Sequence, residues 1–330
     1  MRRNRLGRTA VRVTELSFGA AGIGNLFTPV TDEQAGQAVA AAWDAGVRYF
    51  DTAPHYGLGL SERRLGAALR GRPRDEYTVS TKVGRLLQPA AAGGADDLAS
   101  GFAVPATHRR VWDFSASGVR RSLEDSLERL GLDRIDIAYL HDPDDHAEQA
   151  LTEAYPELER LRGEGVLGAI GVGMNQAELP ARFLRETDID AVLLAGRYTL
   201  LDQHGLADLL PLAAARGVGV VIGGVFNSGL LAAPRPGATF DYAAAPDDLV
   251  ARALDLQAVC ERYGVPLRAA ALRLPFGHAA VSSVLVGIRS ATEAEDAAAM
   301  LHHPVPDALW AELKERDLLP PDVPTPTRER

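Results

Sequence analysis

Cysteine is nearly absent: Cys260 stands alone in 330 residues, so no disulfide within the chain can brace the fold. Long apolar runs are missing too, none approaching the roughly 18 residues that span a bilayer. The opening Met1-Arg-Arg-Asn4 leads into polar residues instead of the apolar core of a signal peptide, and the cytoplasm is the expected compartment. Positive charge is in deficit. Lysine and arginine total 35 against 44 acidic residues, giving a net charge of −9 and a pI near 5.4, which argues against general affinity for nucleic acid or an anionic membrane. A small-molecule partner is expected, and the oligomeric state is left open. Apolar residues are plentiful at 46%, and α/β barrels commonly reach this length as one unit, so residues 1–330 are expected to form a single domain.

Short β-branched runs alternate with longer helical patterns along the chain, the signature of a parallel sheet built from βα units. Eight runs qualify as strands: Glu15 to Gly19, Arg48 to Asp51, Thr78 to Lys82, Ile135 to His141, Gly168 to Val172, Ala191 to Ala195, Gly219 to Gly223 and Ser282 to Gly287. Eight strands with intervening helices predict an α/β fold of the closed (β/α)8 TIM barrel type. Thr31 with Gln34 reads as a capping box for a first helix with Ala35, Ala38, Val39 and Ala42 on one face, ended by Gly46. Ser115 is the expected N-cap of a helix carrying Val119, Leu123, Leu127 and Leu130 and stopped by Gly131. A third stripe, Leu249, Ala253, Leu256, Val259 and Cys260, ends at Gly264 and marks Cys260 as a small buried hydrophobe, not a reactive thiol.

Three segments exceed a minimal barrel. Residues 2 to 13 read as an N-terminal hairpin plugging the barrel bottom. Residues 84 to 114 form a long connection, with Gly93, Gly94, Asp96 and Asp97 lending flexibility, of the kind that serves as a lid or stays disordered. Pro266 to Phe276 reads as an extra helix before the last strand, and the Pro-rich tail, 320–330, as irregular.

Three consecutive strands end in ionisable groups: Asp51, Lys82 and His141, with Tyr56 five residues past Asp51. The C-terminal strand ends of such a barrel carry its active site. Singly, each has a bland reading as a loop cap, a solvated strand end or a packing residue. Together they make a proton-transfer set: a phenol whose ordinary pKa is near 10, an ammonium that favours phenolate, a carboxylate to hold the ammonium and an imidazole to orient a substrate oxygen.

The stretch Asp51-Thr-Ala-Pro-His-Tyr56-Gly57, with Ser61-Glu62 opening the following helix, and with Lys82 and His141, resembles the tetrad of the aldo-keto reductase superfamily. The likeness runs from Leu6-Gly-Arg-Thr9 to Gly287-Ile-Arg289-Ser290 and is nearest to the bacterial branch of L-fucose (D-threo-aldose) 1-dehydrogenases, D-arabinose dehydrogenases and pyridoxal 4-dehydrogenase. It implies an NAD(P)-dependent oxidoreductase that oxidises an aldose at C1 to the lactone, with Tyr56 as general acid or base, Lys82 lowering its pKa, Asp51 pairing with Lys82 and His141 orienting the substrate oxygen. Pyridoxal oxidation and general aldehyde or ketone reduction are its alternatives.

For the cofactor, the resemblance implies contacts at Gly22, Asn175, Phe226, Asn227, Gly229, Leu230, Gly287, Arg289 and Glu293. Relatives commonly hold the carboxamide with a Ser-Asn pair after the fifth strand. Here that stretch is Gly171-Val-Gly173-Met-Asn175, so Asn175 takes over; at the position of the stacking aromatic stands a glycine, and either Phe226 substitutes or the ring is held differently. NADP-using relatives place arginine where Glu293 stands and asparagine where Ala297 stands, which favours NAD, with Arg289 leaving NADP possible. The substrate is expected to meet Ile23, His108 and Trp112, with Arg109 and the stretch Phe226 to Tyr242 nearby.

Gly163-Glu-Gly165-Val-Leu-Gly168 matches a dinucleotide-binding fingerprint, but it follows a helix and precedes a strand, the reverse of the required order. His141-Asp-Pro-Asp144-Asp145-His146 reads as a solvated acidic loop, and no metal is expected. The residues themselves leave two other classes open: a Schiff-base lyase using Lys82, and a nucleotide-binding regulatory barrel without turnover.

Overall fold

The computed structural model describes residues 1–90, 95–241 and 243–327. Its centre is a closed barrel of eight parallel strands: β1 (Leu16–Gly19), β2 (Tyr49–Asp51), β3 (Thr78–Val83), β4 (Ile137–His141), β5 (Ala169–Met174), β6 (Ala191–Ala195), β7 (Gly219–Gly223) and β8 (Val281–Gly287). Each strand pairs with the next in sequence, and β8 closes on β1 through Val286 opposite Phe18. All eight expected runs are therefore strands, and their ends fall within two residues of the expected positions. With every ladder parallel and in sequence order, all the C-terminal strand ends face the same way, and the residues Gly19, Asp51, Lys82 and His141 share one mouth.

The helices follow their local signals. Thr31 Oγ1 accepts from Gln34 N and the Gln34 side chain accepts from Thr31 N, closing the capping box of the helix Asp32–Asp44. At its other end Gly46, at φ +92°, and Val47 donate back to Trp43 O and Ala42 O, a turn that only glycine enters without strain. Ser115 caps Ala116–Leu130, which ends at a left-handed Gly131. Cys260 is buried on the inner face of Asp247–Arg262, and burial pushes its thiol up to about 12. The extra helix before the last strand is present as Leu267–Arg273.

Arg3–Arg5 pairs antiparallel with Arg12–Thr14, and this hairpin covers the N-terminal mouth. Leu6 is fully buried there among Tyr49, Ile137, Tyr139, Ala169, Ala191 and Val221, the apolar floor of the barrel. Gly7 sits so close beneath β7 that a Cβ would lie 2.5 Å from Gly219 N. Helix faces and outer strand faces form the larger core around it.

The long connection departs from expectation. Arg85–Pro89 pairs with His108–Trp112, and a second ribbon pairs Asp96–Asp97 with Phe102–Pro105. Asp97 lends no flexibility: it is buried and held by Arg110 at 2.5 Å, while Phe27 N and Ala103 N bond to Gly101 O and Asn25 O. Gly93, Gly94 and Tyr242 lie outside the described residues. In the tail Pro320–Thr327 has no helix or strand, although Val323 is buried.

Candidate active site

The side-chain period of a strand is two, and three adjacent strands use it identically. Tyr49 and Asp51 on β2, Ser80 and Lys82 on β3, and Tyr139 and His141 on β4 each place a lower polar group beneath an upper one at the mouth. The lower groups form a continuous chain, with Tyr139 Oη 3.2 Å from Tyr49 Oη, Tyr49 Oη 3.0 Å from Ser80 Oγ, and Ser80 Oγ donating to Asp51 Oδ1 at 2.7 Å. Asp51 Oδ2 then accepts from Lys82 Nζ at 2.6 Å, and Thr52 O accepts from the same ammonium at 2.9 Å. Both ions are almost fully buried. Burial opposes the Lys82 charge, but Asp51 and Tyr56 outweigh it and hold its pKa above the ordinary lysine value, so the ammonium persists at any physiological pH.

Tyr56 stands on the loop after β2, its ring centre 4.6 Å from Lys82 Nζ and 5.9 Å from the His141 ring. That loop is pinned by buried polar groups at the start of the helix Leu60–Leu69. Ser61 Oγ bonds Thr52 Oγ1 and donates to Ala20 O, both at 2.8 Å, and Glu62 accepts from Thr81 Oγ1 at 2.8 Å and Arg129 Nε at 2.5 Å. Gly57, at φ +60°, faces Gly24 so closely that a Cβ would lie 2.2 Å from its carbonyl oxygen. From above, Arg110 donates to His55 O at 3.0 Å, tying the ribbon of the long connection to the same loop.

The two histidines of the mouth are held in the neutral form, each with a single ring N–H. Burial, and then the charges of Arg85, Lys82 and Arg110, drive His141 well below the usual histidine range, while burial with Arg85, Arg110 and Lys82 takes His55 down to about 2. The rings lie 5.7 Å apart, and the Nδ1 atom of each is shut from water without a partner among the described residues.

A cavity of about 1040 Å³ opens above these groups and runs across the mouth past β5–β7 to the start of the helix Ala291–His302. A proton-transfer set at one end of a long groove in a barrel agrees with what a comparison of the whole chain finds: residues 15–317 match the model of the aldo/keto reductase family. The chain belongs to that family. It is 47% identical to a D-threo-aldose 1-dehydrogenase of Pseudomonas sp. over 93% of this chain and 95% of that one. It is 42% identical to a pyridoxal 4-dehydrogenase of Microbacterium luteolum over 95% and 97%. Among solved structures it resembles a holo-form aldo-keto reductase of Bacillus halodurans, at 25% identity and a TM-score of 0.75, over 100% of this chain and 99% of that one. It is thus an oxidoreductase of the aldo-keto reductase type.

Aldo-keto reductases use NAD(P)H, and the groove suits such a group. Among the described residues Asn227 Oδ1 is buried there without a partner, and a Cβ on Gly287 would meet no atom within 4 Å, leaving open space beside the backbone. Gly22, Asn175, Phe226, Asn227, Gly229, Gly287, Arg289 and Glu293 all line the groove, as do Asp51, Tyr56, Lys82 and His141.

Four expected contacts are not brought there. Ile23 is fully buried in the main core, because the single 3-10 turn Gly22–Gly24 presents Gly22 to the groove and turns the next side chain inward. Leu230 is likewise fully buried behind the turn Asn227–Gly229. His108 pairs with Pro89 at the far end of its ribbon, and Trp112 stacks on Phe114, with the Arg85 guanidinium 4.4 Å from its ring centre, outside the groove. His55, Asp142, Leu26, Phe27 and Phe102 line the groove without having stood out in the sequence. For the first two a signal was visible, since each is the immediate neighbour of a tetrad residue.

The neutral histidines make folding pH-dependent. Each takes up a proton near 6.5 once the chain unfolds but stays neutral when folded, so each contributes stability present above about pH 6.5 and lost as pH falls. Urea unfolding at pH 7 and pH 5 should show His55→Leu losing roughly 1–2 kcal/mol less than wild type across that interval. Equal losses would mean that His55 is protonated in the folded chain.

Proposed function

We propose that the enzyme oxidises an aldose such as L-fucose or D-arabinose at C1 to the lactone, with NAD⁺ as hydride acceptor. The observation that carries the chemistry is the buried Asp51–Lys82 pair directly beside the Tyr56 ring in the groove. The relative named D-threo-aldose 1-dehydrogenase supports the substrate class, and the polar side chains His55 and Asp142 beside the tetrad suit a polyhydroxylated molecule. The bound nicotinamide supplies the hydride acceptor. His141, kept neutral, orients the C1 oxygen. Tyr56 takes the C1 hydroxyl proton as phenolate, a form that the Lys82 ammonium favours and that Asp51 sustains by fixing the ammonium in place. The alternative substrate is pyridoxal, supported by the 42% identity to the Microbacterium relative.

An assay of NAD⁺ reduction across aldoses, with pyridoxal included, tests the reading. Aldose oxidation should rise with pH as the proton acceptor ionises, and Tyr56→Phe should lower turnover by roughly 10² to 10⁴ while cofactor affinity is nearly unchanged. A wild-type rate in that variant would end the assignment of Tyr56; pyridoxal turned over in preference to every aldose would reassign the substrate.

NAD is the proposed cofactor over NADP. Glu293 accepts from the Arg289 backbone N–H at 2.9 Å and from its Nε at 3.1 Å, so the Arg289 cation beside this helix start is already matched by a carboxylate. A 2′-phosphate entering here meets that carboxylate, whereas free ribose hydroxyls can donate to it. Glu293→Arg should therefore shift the kcat/KM ratio toward NADP⁺. Wild-type kcat/KM about tenfold higher with NADP⁺ than with NAD⁺ would overturn the preference.

A further inference from the structure

The tetrad handles one carbon and one oxygen, yet a further charged group stands beside it with no part in that work. Asp142 follows His141 directly, lines the groove and adopts φ +43°, a left-handed conformation that aspartate tolerates better than most residues. Its backbone N–H is fixed to Gly173 O at 3.0 Å. Its Oδ2 is ion-paired with Arg85, which is braced in turn by Trp112, and lies 3.6 Å from His141 Nε2. Oδ1 has no hydrogen-bond partner among the described residues, and the side chain is 26% exposed.

The other carboxylates of the groove are committed. Asp51 is bonded through both oxygens by Ser80 and Lys82. Asp241 takes both terminal nitrogens of Arg197, and at the far end Glu293 and Asp296 are paired with Arg289 and Arg268. Asp142 is thus the carboxylate that meets the reacting end of a substrate with an oxygen to spare.

We propose that Asp142 is a specificity-determining residue that accepts a hydrogen bond from a hydroxyl on the carbon next to the reacting carbon, selecting α-hydroxy aldehydes and aldoses over their deoxy analogues. The proposal rests on the functional reading in which His141 orients the reacting oxygen. An oxygen about 2.9 Å from His141 Nε2 has the Asp142 carboxylate as its neighbour on that side, since Oδ2 lies 3.6 Å from the same nitrogen. The oxygens of a vicinal pair lie about one hydrogen-bond length apart, so a second oxygen on that side meets the Asp142 carboxylate, whose uncommitted oxygen is Oδ1. A substrate without that hydroxyl leaves a partly buried carboxylate short of a donor in place of the water it displaced, and discrimination follows from that loss.

Reduction of glyceraldehyde and of propanal, which lacks the neighbouring hydroxyl, reads the effect as a ratio of kcat/KM values. Wild type should prefer glyceraldehyde by roughly 10- to 100-fold. Asp142→Ala should bring the ratio to within about threefold, and Asp142→Asn, which keeps the shape of the site, should lower it at least about fivefold. If either variant lost activity on both aldehydes in equal measure, with the ratio intact, Asp142 would be a structural partner of Arg85 and the proposal would fall. It would fall equally if wild type turned over propanal as well as glyceraldehyde, an outcome that leaves the proposed hydride chemistry standing. Turnover of neither aldehyde would count against the functional reading itself.

Discussion

Lys82 and Asp51 are both shut away from water, and removing two ions from water costs several kcal/mol each before any attraction is counted. The barrel meets that cost by surrounding the pair with committed partners. Ser80 holds one carboxylate oxygen, Lys82 the other, and Thr52 O takes a second ammonium proton. Below them the Tyr49–Tyr139 phenols extend the polar column into an otherwise apolar floor. Such a column is tolerable only where each strand is held in register by neighbours on both sides, which a closed parallel barrel provides. Removing one partner would leave an uncompensated buried charge, so this pair constrains β2 and β3 as strongly as any apolar contact does.

The remaining features of the mouth bring Tyr56 to that fixed charge. Its loop lies between the ladder and the long connection, with Ser61 and Glu62 fastening it from one side and Arg110 from the other. Phe102 packs its ring 6.1 Å from Tyr56 and 5.2 Å from His55 and closes this end of the groove with apolar surface, where a charge is felt more strongly than in water. Arg85 serves two groups at once: it anchors Asp142 and its charge helps keep His141 neutral. The site is therefore a set of charges with assigned partners, plus atoms without one among the described residues, the histidine Nδ1 atoms, Arg85 Nε, Arg110 Nε, Asn227 Oδ1 and Asp142 Oδ1 among them.

Much of this was legible in the residues. The barrel strands were readable because each is a short β-branched run between helix signals, and the Thr31 box, the Ser115 cap and Gly131 act through neighbours a few positions away. Three groups of the mouth were readable because they end successive strands, and Tyr56 because it follows the first of them by five residues. Contacts across sequence were harder. Ile23 and Leu230 turn their side chains away from the groove because one turn of 3-10 helix decides which of two adjacent residues faces it. His108 and Trp112 lie away from the groove because the pairing of Arg85–Pro89 with His108–Trp112 fixes which part of the long connection turns inward, and nothing local announces that register. Two further signals lie in the residues. Tyr49/Asp51, Ser80/Lys82 and Tyr139/His141 repeat at the strand period, and lysine occurs only at 82 and 314 in a chain otherwise reliant on arginine. A chain that keeps lysine at one buried strand position has a use there for a compact point charge.

The central claim is that the buried ion pair and the phenol act as one unit, and a double-mutant cycle in kcat/KM for aldose oxidation tests it most directly. Lys82→Met and Tyr56→Phe should each be severely slowed, and the double variant should be about as slow as the slower single one, because neither group has its catalytic role without the other. Losses that multiply in the double variant would mean that the two residues contribute independently, and would contradict the account.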